Sequence, residues 1–577
     1  MENLNIGIKH MRLNTFLLAV AAGFAATAGS AAVHSADLVV YGSSPAAISA
    51  AVQAKRMGIS CVIVSPETRI GGLTTGGLGQ TDIGNKSAFG GIALDFYRDV
   101  AAYYKDAKHW RQQKADEYSP DGQCFGTKGD SSMWTFEPHA ALEILEGWEK
   151  RDGLEIHRGK MLDRSTGKVK VNEVKVEGLG LQRRIVSFFT EDGTEYRGKM
   201  FVDATYEGDL FAAAGVSYVV GREPNAQYGE TISGIATKAM GAQHHQFLPK
   251  VDPYVKKGDQ KSGLLPWVEP YNPDEKEGDG DKRVQAYCFR MCLTDVPENR
   301  IPFAKPANYD ERNYELLFRN MEVLAQHPEL GGWSKGVPWI NSKMPNRKTD
   351  TNNCLGFSTD FVGQNWAWPE ASYAERAKIL KAHLDYQQGL MWALANHPRV
   401  PDWVRNEVSK WGTCKDEFED GLGNGWQTQL YVREARRLVG DYVMTEMNCR
   451  GKRVASRPVA MGAYGMDSHH VRRRVTKDGY VMNEGNVEDW SMKGKPYPID
   501  YGALIPKRGE CANLFVPVCL SATHMAFGSI RMEPVFFALG QVSGAAAALA
   551  IDGSCAVQSL EYEKLAKRLV ADGLPLR

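Results

Sequence analysis

Asp37-Leu38-Val39-Val40-Tyr41-Gly42-Ser43-Ser44-Pro45-Ala46-Ala47 is the stretch on which the fold turns. Its first five residues read as a short apolar strand, and a helix follows from Ile48 to Met57, closed by Gly58. Cys61-Val62-Ile63-Val64 is a second strand. This strand-turn-helix-strand order carries the dinucleotide spacing G-x-G-x-x-G, altered to Gly42, Ser44 and Ala47. Gly42 makes the sharp turn out of the strand. Ser44 stands where backbone must approach a pyrophosphate, with Ala46 in the same turn. Ala47 and Ala51 let the helix lie close to the sheet. Pro45 suits the first helical turn, where a missing N–H costs nothing. The helix N-terminus then faces the phosphates. The acid that binds the ribose hydroxyls is expected at the end of the second strand, where Ser65 stands; Glu67, two residues on, is the substitute.

Outward from this unit, Arg69 to Asp82 holds five glycines between Gly71 and Gly79, with Thr75 and Gly76 among them. Such a loop is expected to be irregular and to lay backbone N–H groups against a large ligand. Met200-Phe201-Val202 is a strand leading into Asp203-Ala204-Thr205. Near the other end, Asn513 to Val518 reads as a strand, a loop with Ser521, His524 and Gly528 follows, and Pro534 to Ala550 is an Ala/Gly-rich helix. Gly540 and Gly544 allow that helix close packing.

These segments, with Trp134 to His139, Phe201 to Asp209, Tyr431 to Arg437, Gly465 to His470 and Ser521 to Pro534, resemble the FAD-dependent oxidoreductase family of exported bacterial flavoproteins, some of them labelled as related to xanthan lyase. The resemblance covers nearly the whole chain after residue 36. It implies an α/β fold: a glutathione-reductase-type Rossmann FAD-binding domain with an inserted substrate domain. The implied division is 37–240 and 425–577 for the FAD-binding domain and 241–424 for the insert. It implies FAD held by Gly42, Ser44, Ala46, Ala47, Ser65, Arg69, Gly71, Gly72, Thr75, Gly76, Asp203, Ala204, Thr205, Arg531 and Glu533, covalently or not. The helix start around Arg531-Met532-Glu533 would stabilise negative charge on reduced flavin.

Composition narrows the function further. The 577 residues carry 69 Lys+Arg against 69 Asp+Glu, so the basic surplus of a nucleic-acid binder is missing. Lys9 and Arg12 precede an apolar run from Phe16 to about Ala28, with small residues through Ala36. That reads as a Sec-type signal peptide over residues 1–36, cut after Ala32 or Ala36, and so as a periplasmic or secreted protein without an integral membrane segment in the mature chain. Ten Cys are scattered without a CxxC pair, and no metal site is expected.

The expected reaction is oxidation of a hydroxyl of a carbohydrate-like or other polar small molecule by hydride transfer to flavin, which needs a base for the hydroxyl proton. Among 13 histidines, His470 and His524 are the first candidates, with His469 in reserve and Asp467 to orient one of them. Asp360 and Glu446 are the acids to consider otherwise. Arg290, Lys348 and Arg433 are anion or hydroxyl anchors, or members of buried salt bridges. Lys348 to Asn353, Ser358 to Phe361, and Trp366 and Trp368 combine polar groups with indoles in a way that suits a sugar. No second nucleotide fold for NAD(P) is read; oxygen, a quinone or a protein remains as electron acceptor. Two other readings share the motifs: a lyase or isomerase of polysaccharide metabolism, and a carbohydrate-binding protein with a vestigial nucleotide fold.

Overall fold

The computed structural model describes residues 32–127, 129–176, 180–237, 243–492 and 494–577. The expected signal segment therefore lies, up to residue 31, outside the described residues.

A seven-stranded sheet organises the fold. Val33–Tyr41 (β1) lies between Cys61–Val64 (β2) and Glu195–Asp203 (β6), parallel to both, and Glu155–His157 (β3) extends the sheet beyond β2. Val169–Val176 (β4) and Gly180–Phe189 (β5) form an antiparallel ribbon that joins the first residues of β6. The apolar runs of β1 and β2 are buried on both faces, as a parallel sheet covered by helices demands. Pro45–Arg56 (α1) connects β1 to β2, and Pro138–Asp152 (α2) precedes β3.

A second sheet lies in the middle of the chain. Its order is Trp339–Met344 (β9), Lys348–Asn353 (β10), Met291–Thr294 (β7), Gly412–Cys414 (β11), Arg300–Ile301 (β8). Tyr373–Asn396 (α3) starts at a capping box, Ser372 with Glu375. Met466–Ser468 (β12) pairs antiparallel with Val487–Asp489 (β13), so that Asp467 stands opposite Glu488. Leu514–Phe515 (β14) returns to the first sheet and runs parallel to the end of β6.

Two expectations about local structure change. The glycine-rich loop contains one helical turn, Gly72–Thr75. The loop after β14 is a short helix, His524–Ile530 (α4), because the Thr523 hydroxyl caps its first turn. Glu533–Asp552 (α5) then packs along α1. A Cβ on Gly540 would lie 2.2 Å from the Ala46 carbonyl oxygen, and one on Gly544 would lie 2.4 Å from that of Ala50. By length and composition α5 could cross a bilayer, but it is enclosed by the protein.

Candidate active site

The turn after β1 is built by close backbone contact. Gly42 N–H donates to the Val64 carbonyl at 3.0 Å, and Ala204 N–H to that of Tyr41 at 2.7 Å. Gly42 has φ +130°, and a Cβ there would lie 2.5 Å from the Ala204 carbonyl carbon. The Ser44 hydroxyl donates to the Ala204 carbonyl at 2.6 Å, so it ties the turn to β6. Pro45 opens α1, whose first turn has no side-chain cap, although Ala47 N–H already donates to the Ser44 carbonyl at 2.9 Å. Ala46 and Ala47 are fully buried under α5.

Of the two candidates for the ribose, Ser65 is turned away: its hydroxyl donates to the Glu67 carbonyl at 2.6 Å. The Glu67 carboxylate instead accepts the Ser43 hydroxyl at 2.6 Å, which puts it against the turn. Burial raises its pKa, opposed by the Ser43 hydrogen bond. Asp203 also departs from expectation. Its carboxylate accepts Thr205 N–H and hydroxyl on one oxygen, and Leu210 and Phe211 N–H on the other, so it caps the next short helix. Thr205 answers by accepting Gly208 N–H. The β6 segment thus borders the turn through the backbone of Ala204 and not through the Asp203 or Thr205 side chains.

The glycine-rich loop is clamped from behind. Arg69 donates to the Thr75 carbonyl at 3.0 Å and pairs with Asp420 at 2.8 Å, while the Thr75 hydroxyl donates to the Ile70 carbonyl. Arg69 and Thr75 therefore shape the loop. Gly71, Gly72 and Gly76 each leave no room for a Cβ, Gly72 because the Tyr206 hydroxyl would be 2.3 Å away. Glu533, first residue of α5, accepts Thr74 N–H at 3.2 Å, the Thr74 hydroxyl at 2.7 Å and the Tyr206 hydroxyl at 3.1 Å. Burial pushes its pKa up to about 7 against those hydrogen bonds.

One cavity collects these segments. Leu73 of the glycine loop, Tyr206 after β6, Tyr431 and Arg433, and Arg531 and Glu533 around the start of α5 all line it. Arg433 Nε and Arg531 Nε are buried there without a hydrogen-bond partner. Arg531 donates to the Tyr431 hydroxyl at 3.0 Å, and Arg433 stacks over the same ring at 4.4 Å.

His469 stands between Asp360 and Asp467, the carboxylates that pair with these arginines. Its Nδ1 is 2.8 Å from Asp360 Oδ2, and Asp360 Oδ1 is 2.9 Å from Arg433. Its Nε2 is 3.8 Å from Asp467, which in turn is 3.5 Å from Arg531. Burial, then the Arg433 charge, pushes His469 down to about 3, so the ring is neutral at physiological pH. Asp360 is held below the carboxylate range against burial, chiefly by Arg433. Asp467 is pushed up to about 6 by burial.

The other two histidines make different contacts, and His470 Nδ1 is buried without a hydrogen-bond partner. His470 Nε2 meets the His245 carbonyl at 2.8 Å. His524 has both ring nitrogens engaged, Nδ1 with Glu434 at 2.7 Å and Nε2 with the Ser468 hydroxyl at 3.0 Å. The expected order of the histidines rests on motif position alone, and neighbours on an irregular segment point in different directions. All three expected anchors are salt-bridge members: Arg433 pairs with Asp360, Arg290 is bidentate to Asp350, and Lys348 meets Glu137, Asp416 and Glu417. Glu446 is engaged by Thr231 and Arg450. The polar run expected to face a sugar is strand β10. Thr351 bonds Asn341, and the Trp366 and Trp368 N–H groups donate to the Val471 carbonyl and to Glu207.

A family model described as FAD dependent oxidoreductase matches residues 37–569. The chain belongs to that family. It is an FAD-dependent oxidoreductase with a Rossmann-type fold, and FAD is its cofactor. The residues fit FAD: a helix start without a side-chain cap, a carboxylate against the turn, and a cavity between the glycine loop and the start of α5. Several solved structures are similar over part of the chain. A flavin-containing monooxygenase from Stenotrophomonas maltophilia is 17% identical over 35% of this chain and 44% of its own, with TM-score 0.17. OxyS anhydrotetracycline hydroxylase from Streptomyces rimosus is 14% identical over 33% and 36%, TM-score 0.20. L-amino acid deaminase from Proteus vulgaris is 15% identical over 35% and 55%, TM-score 0.21. The chain thus spans between a third and just over half of their lengths, and such scores carry no argument about activity. No curated protein matches the chain.

Proposed function

We propose that this family member is exported and oxidises a hydroxyl-bearing carbon of a carbohydrate-like or other polar small molecule, the hydride passing to the flavin. The observation that supports this reading is the cavity wall itself: Arg433 and Arg531 beside Tyr431, backed by Asp360 and His469. FAD, when bound, supplies the two-electron acceptor. Gly42 to Ala47 and the first turn of α1 hold its phosphates, with Glu67 taking the ribose in place of Ser65. Asp360, anchored by Arg433, fixes the His469 ring by accepting its Nδ1–H. Nε2 is then the nitrogen with a lone pair to take the hydroxyl proton. Arg433 and Arg531 orient the oxygen atoms of the substrate. The electron acceptor for the return half-reaction is a small molecule or protein outside the chain.

The test is anaerobic mixing with a panel of polyols, sugars and hydroxy acids, read by bleaching of the visible flavin band. Bleaching by one class supports oxidation. A flavin that stays oxidised while a substrate is converted would favour the lyase or isomerase reading.

A further inference from the structure

We infer that His244, His245 and Glu488 form a binding site for one divalent transition cation, Zn2+ first among them. Both imidazoles direct the same nitrogen at the same oxygen: His245 Nε2 is 3.1 Å from Glu488 Oε1 and His244 Nε2 is 4.0 Å from it. The three ligand atoms lie within 4.8 Å of one another. A tetrahedral cation bonded at the usual ~2.0–2.2 Å sets its ligand atoms ~3.4 Å apart, so His244 closes on Glu488 and His245 parts from it by well under an ångström each. Two histidines and one carboxylate leave the remaining positions to water, and His244 is half-buried, so a cation can enter from solvent.

The surroundings favour a cation over a plain hydrogen bond. Glu488 is largely buried, and among the described residues no Lys or Arg pairs with it; its ion partners are the two histidines. Asn486 reaches Glu488 Oε1 only at 3.5 Å, and Asp467, directly across the ribbon, adds a second carboxylate. Trp490 N–H donates to the other Glu488 oxygen at 3.3 Å, which fixes the carboxylate. His470 fixes the His245 main chain through its carbonyl. The Glu137, His139 and Glu417 group has similar ligand types, but there the Lys348 ammonium already occupies the place of a cation. The His34, Glu155 and His157 group lies at an outer strand of the sheet with Glu155 exposed.

The test uses the flavin-loaded protein, stripped with EDTA, dialysed and titrated with Zn2+ alone by calorimetry, with metal counted by mass spectrometry. One Zn2+ per chain is expected. His244→Ala and Glu488→Gln should each weaken binding by at least ~100-fold, the upper range for losing even an outer-shell partner. His139→Ala should leave binding unchanged, and retained flavin certifies that each variant is folded. Zn K-edge absorption on the unaltered protein needs no variant: two imidazoles and otherwise oxygen are expected. No stoichiometric uptake, unchanged affinity in folded His244→Ala and Glu488→Gln proteins, or sulfur in the shell would overturn the site.

Discussion

At the scale of single residues, Gly42, His469 and Glu533 make different predictions. Gly42→Val puts a branched side chain where a Cβ alone meets the Ala204 carbonyl, at a φ of +130°. The purified variant is expected to carry no FAD; stoichiometric flavin in it would refute the assignment of the turn. His469→Ala should keep its flavin spectrum, since the ring pairs with Asp360 and Asp467 and not with the phosphate turn. Substrate-driven flavin reduction should slow by ~100-fold or more, the usual range for a lost proton acceptor. His470→Ala and His524→Ala are expected to slow reduction less, and a slower His470→Ala protein would return the role to that residue. Glu533 titrates at an ordinary 4.5 when unfolded and near 7 when folded, because burial disfavours its charge. The folded state therefore holds a proton that the unfolded state has lost. That contribution is present below the lower value and fades as pH rises through the upper one, by about 3 kcal/mol in all. Urea unfolding of the unaltered protein and Glu533→Gln at pH 5 and pH 8 should show the variant gaining relative stability at the higher pH. Gly42 was legible because a motif assigns it a task. Glu67 was legible as a substitute, two residues past the expected position. The ranking of the histidines was not, since it depends on which way each ring points off a folded ribbon.

At the scale of elements, the contact of α5 with α1 depends on Gly540 and Gly544. Gly540→Ala adds a methyl 2.2 Å from both the Ala46 carbonyl oxygen and the Ser49 hydroxyl. The helices must part, which typically costs about 1–3 kcal/mol. Because Ala46 belongs to the phosphate turn, the variant should show weaker FAD retention together with the lower urea midpoint; a stability loss with unchanged FAD affinity would mean the turn does not feel the helix. The small-residue pattern announced this packing in the sequence. The polar stretch from Lys348 to Asn353 misled instead. Polar residues normally mark a surface or a ligand, but here they belong to a strand whose charges are answered by Glu417 and Arg290, far away in sequence. Local patterning carries no record of partners that only the tertiary fold brings up.

At the scale of the whole molecule, the equal count of acidic and basic residues hides an uneven distribution. Many charges sit inside, such as Arg222 with Asp281 and Glu484, and Arg437 with Glu223 and Glu434. The first strand also bears on export. Val33 to Ala36 pair with Glu195 to Gly198 in β6, so a cut after Ala36 would strip four residues of pairing, whereas a cut after Ala32 leaves the strand whole. N-terminal sequencing of protein from the native cell should therefore find Val33 first; an intact Met1 or Met11 on cytosolic protein would rule export out.

The central sheet takes six strands from the first part of the chain and its seventh from Leu514–Phe515, and the turn that opens the chain is covered by a helix that nearly ends it. Those contacts bridge more than three hundred residues, so the loop entropy of closing them must be met before they repay it. A chain whose later part is not yet made therefore has its nucleotide turn but not the helix that roofs it. Tight FAD retention is thus expected only once the two distant parts of the chain have met.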